Sequence, residues 1–275
     1  MKIVTFVKHV PTQAVTPRIA ASRVSIDDEG LSYEVNEADL YAIEEALAQR
    51  AVHKGSVMAV TIGPARAKEA LTVAYAKGVD HGVLVLDEAF RGTNLVLNMH
   101  AAAQIVRKYE PAMIFTGIQA EDDLQGQFGI ALAEMLGFPV VTAVTGITVD
   151  PVTKVATVIR ELGAGVKEEI EVDLPCVITV QFGIRQLRYL PIMSIFKMRS
   201  RPVETIAVAD LALPPAVTIT DDRMRVVELS YPDDGGNCQL IDGSPDEAAR
   251  NLMSKLVAAG VVSYTHLTLP TILLV

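Results

Sequence analysis

A chain of 275 residues, half of them apolar and 21% charged, is long and hydrophobic enough to bury a substantial core and does not read as disordered. Its net charge of −9 excludes a general binder of nucleic-acid backbone, whose affinity rests on clustered Lys and Arg. Two cysteines, Cys176 and Cys238, offer neither a disulfide framework nor metal-ligand spacing, which suits a reducing cytoplasm, and no apolar run reaches the roughly 18 residues of a membrane span.

Ile3–Val7 reads as a buried first strand rather than a signal peptide, because the apolar run is short and ends at Lys8. Asn36 to Arg50 predicts an amphipathic helix with Leu40, Ile43 and Leu47 on one face and Glu44 and Glu45 turned away. Val57–Ile62 is the next strand, and Gly63-Pro64 opens a helix that runs to Lys77 and stops at Gly78. Val83–Leu86, Ala112–Thr116 and Val140–Val144 are further strands. Between them lie a helix over about Leu95 to Tyr109 and one that follows Asp122-Asp123 and ends at Gly137-Phe138-Pro139. This rhythm predicts an α/β fold built on a doubly wound, mainly parallel sheet of Rossmann-like type with right-handed crossovers.

Near residue 146 the pattern changes. Ile147–Val149, Lys154–Arg160 and Val166–Val172 predict an antiparallel addition, followed by a buried strand at Cys176–Val180. Past residue 200 the chain is Pro-rich, with Pro214-Pro215 and Asp233-Asp234-Gly235-Gly236, and reads as an extended C-terminal arm. One helix remains there, opened by the capping box Ser244-Pro245-Asp246-Glu247 and closed at Gly260. The expected organisation is an α/β domain over residues 1–200, an arm over 201–262 that wraps a partner subunit, and a tail over 263–275. The tail lacks charge and turn chemistry; it is either foreign to the natural chain or a terminal strand that docks on a partner.

No Ser-His-Asp, Cys-His or HExxH arrangement stands out, and the histidines at 9, 53, 81, 100 and 266 are scattered, as surface or structural residues are. The GxxxxGK[ST] and GxGxxG fingerprints are absent, which disfavours a kinase or a dinucleotide-dependent dehydrogenase. The informative loop runs from Thr116-Gly117 to Gly126-Gln127-Phe128-Gly129, from the carboxyl end of a strand into a helix, where open parallel sheets bind ligands. Gly117 would admit a ligand to the backbone, amides around Gly126–Phe128 would cradle a phosphate, and Asp122 or Asp123 would accept ribose hydroxyls. Read from physics alone, the loop is equally an acidic surface turn that caps the helix.

Gly117-x-Gln119-Ala120-x-Asp122-Asp123 followed by Gln125-Gly126 resembles the nucleotide-binding loop of electron-transfer flavoprotein beta subunits. Further matches keep the same order: Val7-Lys8-x-Val10-Pro11, Asn36 ahead of Ala42-Ile43-Glu44-Glu45-Ala46-Leu47, Ile62-Gly63-Pro64-Ala65, Ala76-x-Gly78-x-Asp80 and Leu174-Pro175-Cys176-Val177-Ile178-Thr179. The resemblance covers roughly residues 1 to 205. It implies that an adenine nucleotide, AMP or a second FAD, lies against Phe6, Asn36, Glu37, Ala38, Asp39, Ile62 and the loop Gly117, Ile118, Gln119, Ala120, Glu121, Asp122, Asp123, Leu124, Gln125, Gly126, Gln127 and Phe128. Lys8 would be a charge partner beside it. It further implies an alpha subunit that holds the electron-exchanging FAD, a flavin dehydrogenase such as an acyl-CoA dehydrogenase as donor, and a quinone-reducing or other redox acceptor.

Arg185, Leu187, Arg188, Tyr189, Leu190, Ile192 and Met193, then Lys197 and Arg199, resemble the family's partner-recognition loop and basic stretch. An apolar patch with a basic rim suits docking on an acidic partner; packing against the sheet is the alternative. Asp87-Glu88-Ala89-Phe90-Arg91-Gly92 resembles an element of the bifurcating, two-flavin members, whereas Asp122-Asp123-Leu124-Gln125 does not resemble their loop, so AMP is the expected nucleotide. The chain departs from the family pattern at Asn36-Glu37, at Gly163-Ala164-Gly165 after Arg160-Glu161-Leu162, and at Arg185-Gln186-Leu187. The competing reading is a nucleotide sensor or ATP-hydrolysing module of the stress-protein-like α/β type; a structural subunit whose loop has lost its ligand is a third.

Overall fold

In the computed structural model the described residues are 1–86, 95–214, 226–232 and 238–262. The expected tail 263–275 and the Asp87–Gly92 element lie outside them. In chain order the elements are β1 (Lys2–Phe6), β2 (His9–Pro11), β3 (Tyr33–Val35), α1 (Glu37–His53), β4 (Ser56–Gly63), α2 (Lys68–Lys77), β5 (His81–Leu86), α3 (Leu95–Tyr109) and β6 (Met113–Gly117). There follow α4 (Phe128–Leu136), β7 (Val140–Asp150), β8 (Val155–Gly163), β9 (Val166–Asp173), β10 (Cys176–Val180), α5 (Ile192–Met198), β11 (Glu204–Ala207) and α6 (Pro245–Ala258).

Nine of the described strands form one sheet in the order β11-β5-β4-β1-β6-β10-β7-β8-β9. All pairs from β11 to β7 are parallel; β7–β8 and β8–β9 are antiparallel. The fold is therefore the doubly wound, mainly parallel α/β sheet that the alternation of elements predicts. Successive residues of a strand face opposite sides, and β1 shows the consequence. Ile3 and, just beyond the strand, Val7 pack with Ala42, Ile43 and Leu47 of α1 and Leu71 of α2. Val4 and Phe6 pack with Leu97 and Val106 of α3 and Leu132 of α4. Two helices thus cover each face, and an unbroken apolar run is what a strand buried on both sides requires.

Two local expectations need correction. Ile147–Val149 is no separate strand: it is the second half of β7, whose first half pairs parallel with β10 and whose remainder pairs antiparallel with β8. A register shift between Val144 and Gly146, next to Ala143 at φ 57°, lets one strand change partners, so no turn is needed. Glu44 and Glu45 are not turned to solvent but are buried, at 4% and 0% exposure. Their charges are met from a distant part of the chain: Lys77 and Arg188 bond Glu44, and Arg185 and Gln49 bond Glu45. The short β2–β3 ribbon, α5 and the edge strand β11 carry no strong periodic pattern, and the sequence alone does not reveal them.

The described residues fall into two compact units, one up to Leu229 and the other from Ser230. The boundary expected at 200/201 lies just ahead of β11. In the second unit α6 begins as its capping box predicts, with the Ser244 N–H donating to Glu247 Oε2 at 2.9 Å, and none of its residues is buried. At the far margin of the sheet β9 exposes Lys167, Glu168, Glu169, Glu171 and Asp173. No helix among the described residues is long and apolar enough to cross a membrane.

Candidate functional site

From β1 the chain moves outward to β4 and β5 on one side, then returns to lay β6 and β10 on the other. Between β1 and β6 the loops diverge, and a crevice opens at the carboxyl ends of the strands, the place where sheets of this kind take ligands. Its lining comes from Phe6 at the end of β1 and Lys8 just after it, Asn36 and Asp39 at the start of α1, Ile62 in β4, and Gly117 to Ala120, Asp122, Asp123 and Gln125 to Phe128 from the end of β6 to the start of α4. Of the residues expected at a nucleotide, Glu37, Ala38, Glu121 and Leu124 do not line it. Ala38 is fully buried and Leu124 is 62% exposed.

Asp39 organises the floor. Its carboxylate accepts the Lys8 N–H at 2.8 Å and the Gly117 N–H at 2.9 Å, so one buried side chain ties the ends of β1 and β6 to the first turn of α1. Burial pushes this carboxyl up to about 6, against the opposing pull of those two N–H groups, Asn36 and the Lys8 ammonium. Asn36 precedes α1 without capping it; instead its Nδ2 donates to the Gln119 carbonyl at 3.0 Å and its Oδ1 accepts the Glu121 N–H at 3.1 Å. Lys8 Nζ reaches Asp122 at 2.7 Å and Asp123 at 2.9 Å. Burial lowers the Lys8 ammonium, but the two carboxylates outweigh it and hold the group above the usual lysine range. The first half of the loop is thus moored by three side chains, and both aspartates are engaged by Lys8.

The glycines divide by role. A Cβ at Gly117 would lie 2.6 Å from Asp39 Oδ1 and 2.7 Å from Ala38 Cβ, so the close approach of α1 by itself requires glycine here. At Gly126 the backbone takes φ 62°, a conformation that disfavours side chains, as the chain turns into α4. No side chain caps α4, whose first residues line the crevice, which leaves its first amides without a side-chain acceptor. Phe128 sets the helix start by packing edge-on against Phe6, ring centres 5.1 Å apart.

Sequence reasoning missed one wall. His9, Pro64, Arg66, Leu95 and Asn98 also line the crevice, as does Thr116, which opens the loop singled out in the sequence. The Arg66 guanidinium lies 3.6 Å from the centre of the Tyr33 ring, and His9 packs beside that ring at 5.5 Å. Burial, then the nearby Arg66 charge, lowers the His9 imidazole to about 4, so it is neutral at physiological pH. The signal was close at hand: His9 follows Lys8, and Arg66 lies two residues past the Gly63-Pro64 pair.

The residues expected to recognise a partner line none of this crevice. Arg185 and Arg188 are bound to Glu45 and Glu44 at 2.6 and 2.7 Å, and α5 packs on α2. Beyond that anchor Tyr189, Ile192 and Met193 are 86%, 67% and 66% exposed, while Leu187 and Leu190 are half-buried. Lys197 is exposed, and Arg199 stacks over Phe196 at 4.6 Å. Among the described residues no cluster of side chains is suited to a metal ion.

Comparison with known proteins agrees with this architecture. The family model described as the electron transfer flavoprotein domain matches residues 24–211. The chain is 29% identical to the electron transfer flavoprotein subunit beta of Methylophilus methylotrophus, over 92% of this chain and 97% of that protein. It is 33% identical to the mitochondrial subunit beta of Arabidopsis thaliana, over 84% and 90%, and 32% identical to the subunit beta of Clostridium acetobutylicum, over 93% and 98%. A crevice at the switch point of a parallel sheet, a moored acidic loop leading into an uncapped helix, and these matches together place the chain in the electron transfer flavoprotein family, among its beta subunits.

Proposed function

We propose that this chain pairs with an alpha subunit in a heterodimeric electron carrier and holds one adenine nucleotide, AMP, in the crevice between β1 and β6. The observation that carries the reading is the uncapped N-terminus of α4 facing the crevice behind Gly126. One helix N-terminus offers one set of amides, which suits the single phosphate of AMP. Phe6, Ile62 and Phe128 supply apolar surface for a base, and the backbone at Gln119 and Ala120 offers polar contacts around it.

In this reading the redox chemistry belongs to FAD carried mainly by the partner, which exchanges electrons with a flavin dehydrogenase and a downstream acceptor. The residues here bind and orient: Asp39, Asn36 and Lys8 hold the loop in shape, and the ring pair Phe6–Phe128 fixes the start of the helix. The ATP-hydrolysing alternative is not favoured, since Asp122 and Asp123 are both paired with Lys8 and the family match points elsewhere.

The test is nucleotide content. Wild-type heterodimer, denatured and analysed by chromatography, should release one equivalent of AMP beside the flavin. Gly126→Val places a branched side chain at φ 62° and toward the Ile118 carbonyl, which a Cβ would approach to 3.4 Å; folded variant should release much less. Full occupancy in a folded Gly126→Val heterodimer would remove this loop from the binding site.

A further inference from the structure

We propose that Arg66 is the side chain that contacts the phosphate of the nucleotide held in this crevice, an inference that rests on the crevice being a nucleotide site. Among the described lining residues only Lys8 and Arg66 carry a positive charge at neutral pH, His9 being neutral. Lys8 is committed to Asp122 and Asp123, so the loop it moors keeps an excess negative charge that would repel a phosphate. Arg66 is differently placed. Its recorded partners are the face of Tyr33 at 3.6 Å and the His9 carbonyl at 3.5 Å, and among the described residues no carboxylate pairs with it.

The Tyr33 ring face and the His9 carbonyl restrain the guanidinium while leaving N–H donors for a ligand, and a group restrained in advance loses less freedom on binding. Arg66 also sits between the end of β4 and the first residues of α2, and it lines the same crevice as the loop that leads to α4. A phosphate at the uncapped helix would thereby meet backbone amides and a guanidinium, and the charge excess left by the aspartates would be offset. A neutral His9 beside it adds no competing cation.

The experiment uses the heterodimer, stripped of nucleotide, with equilibrium binding of AMP and of adenosine measured for wild type, Arg66→Ala and Arg66→Lys. In Arg66→Ala the AMP affinity should fall about 10- to 30-fold, as expected for one charge-assisted contact, with adenosine affinity unchanged within about twofold. The AMP affinity of Arg66→Lys should be intermediate, since a point charge replaces a planar fork. Added salt should weaken AMP binding to wild type more than to Arg66→Ala. AMP bound equally by wild type and Arg66→Ala, or AMP and adenosine weakened alike, would overturn the assignment while leaving the nucleotide site standing. Wild type that binds neither ligand would overturn both.

Discussion

Asp39 is held below the surface at the first turn of α1 with its acceptors filled by the Lys8 and Gly117 N–H groups. Its carboxyl titrates near 6 when folded, against an ordinary value of 3.8. The folded state therefore keeps a proton that the unfolded chain has already lost, and the stability this contributes is complete below pH 3.8 and lost as pH rises through about 6. Asp39→Asn abolishes the titration. The stability of wild type relative to that variant should thus fall between pH 4 and pH 7 by on the order of 2–3 kcal/mol, read from urea unfolding at the two pH values. A difference that stays flat with pH would mean the carboxyl titrates normally. Resemblance to the family marked Asp39 as a site residue, but its mooring role was not legible. The two amides it binds lie 31 and 78 residues away in sequence, and only the sheet brings them together.

At the scale of elements, α1 shows how a helix pattern misleads. Leu40, Ile43 and Leu47 form a stripe that implies one buried face, yet Glu44 and Glu45 beside it are buried as well. The segment that covers them arrives some 140 residues later, through Arg185 and Arg188, so no local window contains the information. The parallel strands were legible for the opposite reason: each is a short, largely apolar run, interrupted at most by a threonine, between turn signals, and burial on both faces needs little more. The buried pair also makes a graded prediction. Lys77 and Glu44 are 3% and 4% exposed, so Lys77→Met leaves the buried carboxylate with the half-exposed Arg188 alone and should cost about 3 kcal/mol in urea unfolding. Arg188 is half exposed, and Arg188→Ala should cost about 1 kcal/mol or less. Its effect should show instead as faster proteolysis between residues 183 and 198, because the segment carrying Tyr189 loses its anchor to α1. Equal costs for the two variants would contradict the division of burden between them.

For the whole molecule, the unit ending at Leu229 contains both apolar clusters of the sheet, whereas α6 buries none of its residues. A chain truncated after Leu229 should unfold within about 2 °C of the full chain, since none of the described residues removed is buried, and should fail to co-purify with an alpha subunit, for which the later residues are the expected contact. A large drop in the midpoint would show that those residues brace the sheet.

The outer margin of β9 has a consequence for how the molecule behaves in a crowd. A free sheet edge is a template on which further strands can add, and among the described residues no strand pairs with the outer side of β9. It instead presents Glu168, Glu169, Glu171 and Asp173 against the single Lys167. A second copy that laid the same strand alongside would crowd carboxylates together along the seam. Polymer growth from this edge is therefore checked by repulsion rather than by a lid, and that check weakens as dissolved salt shortens the reach of the charges.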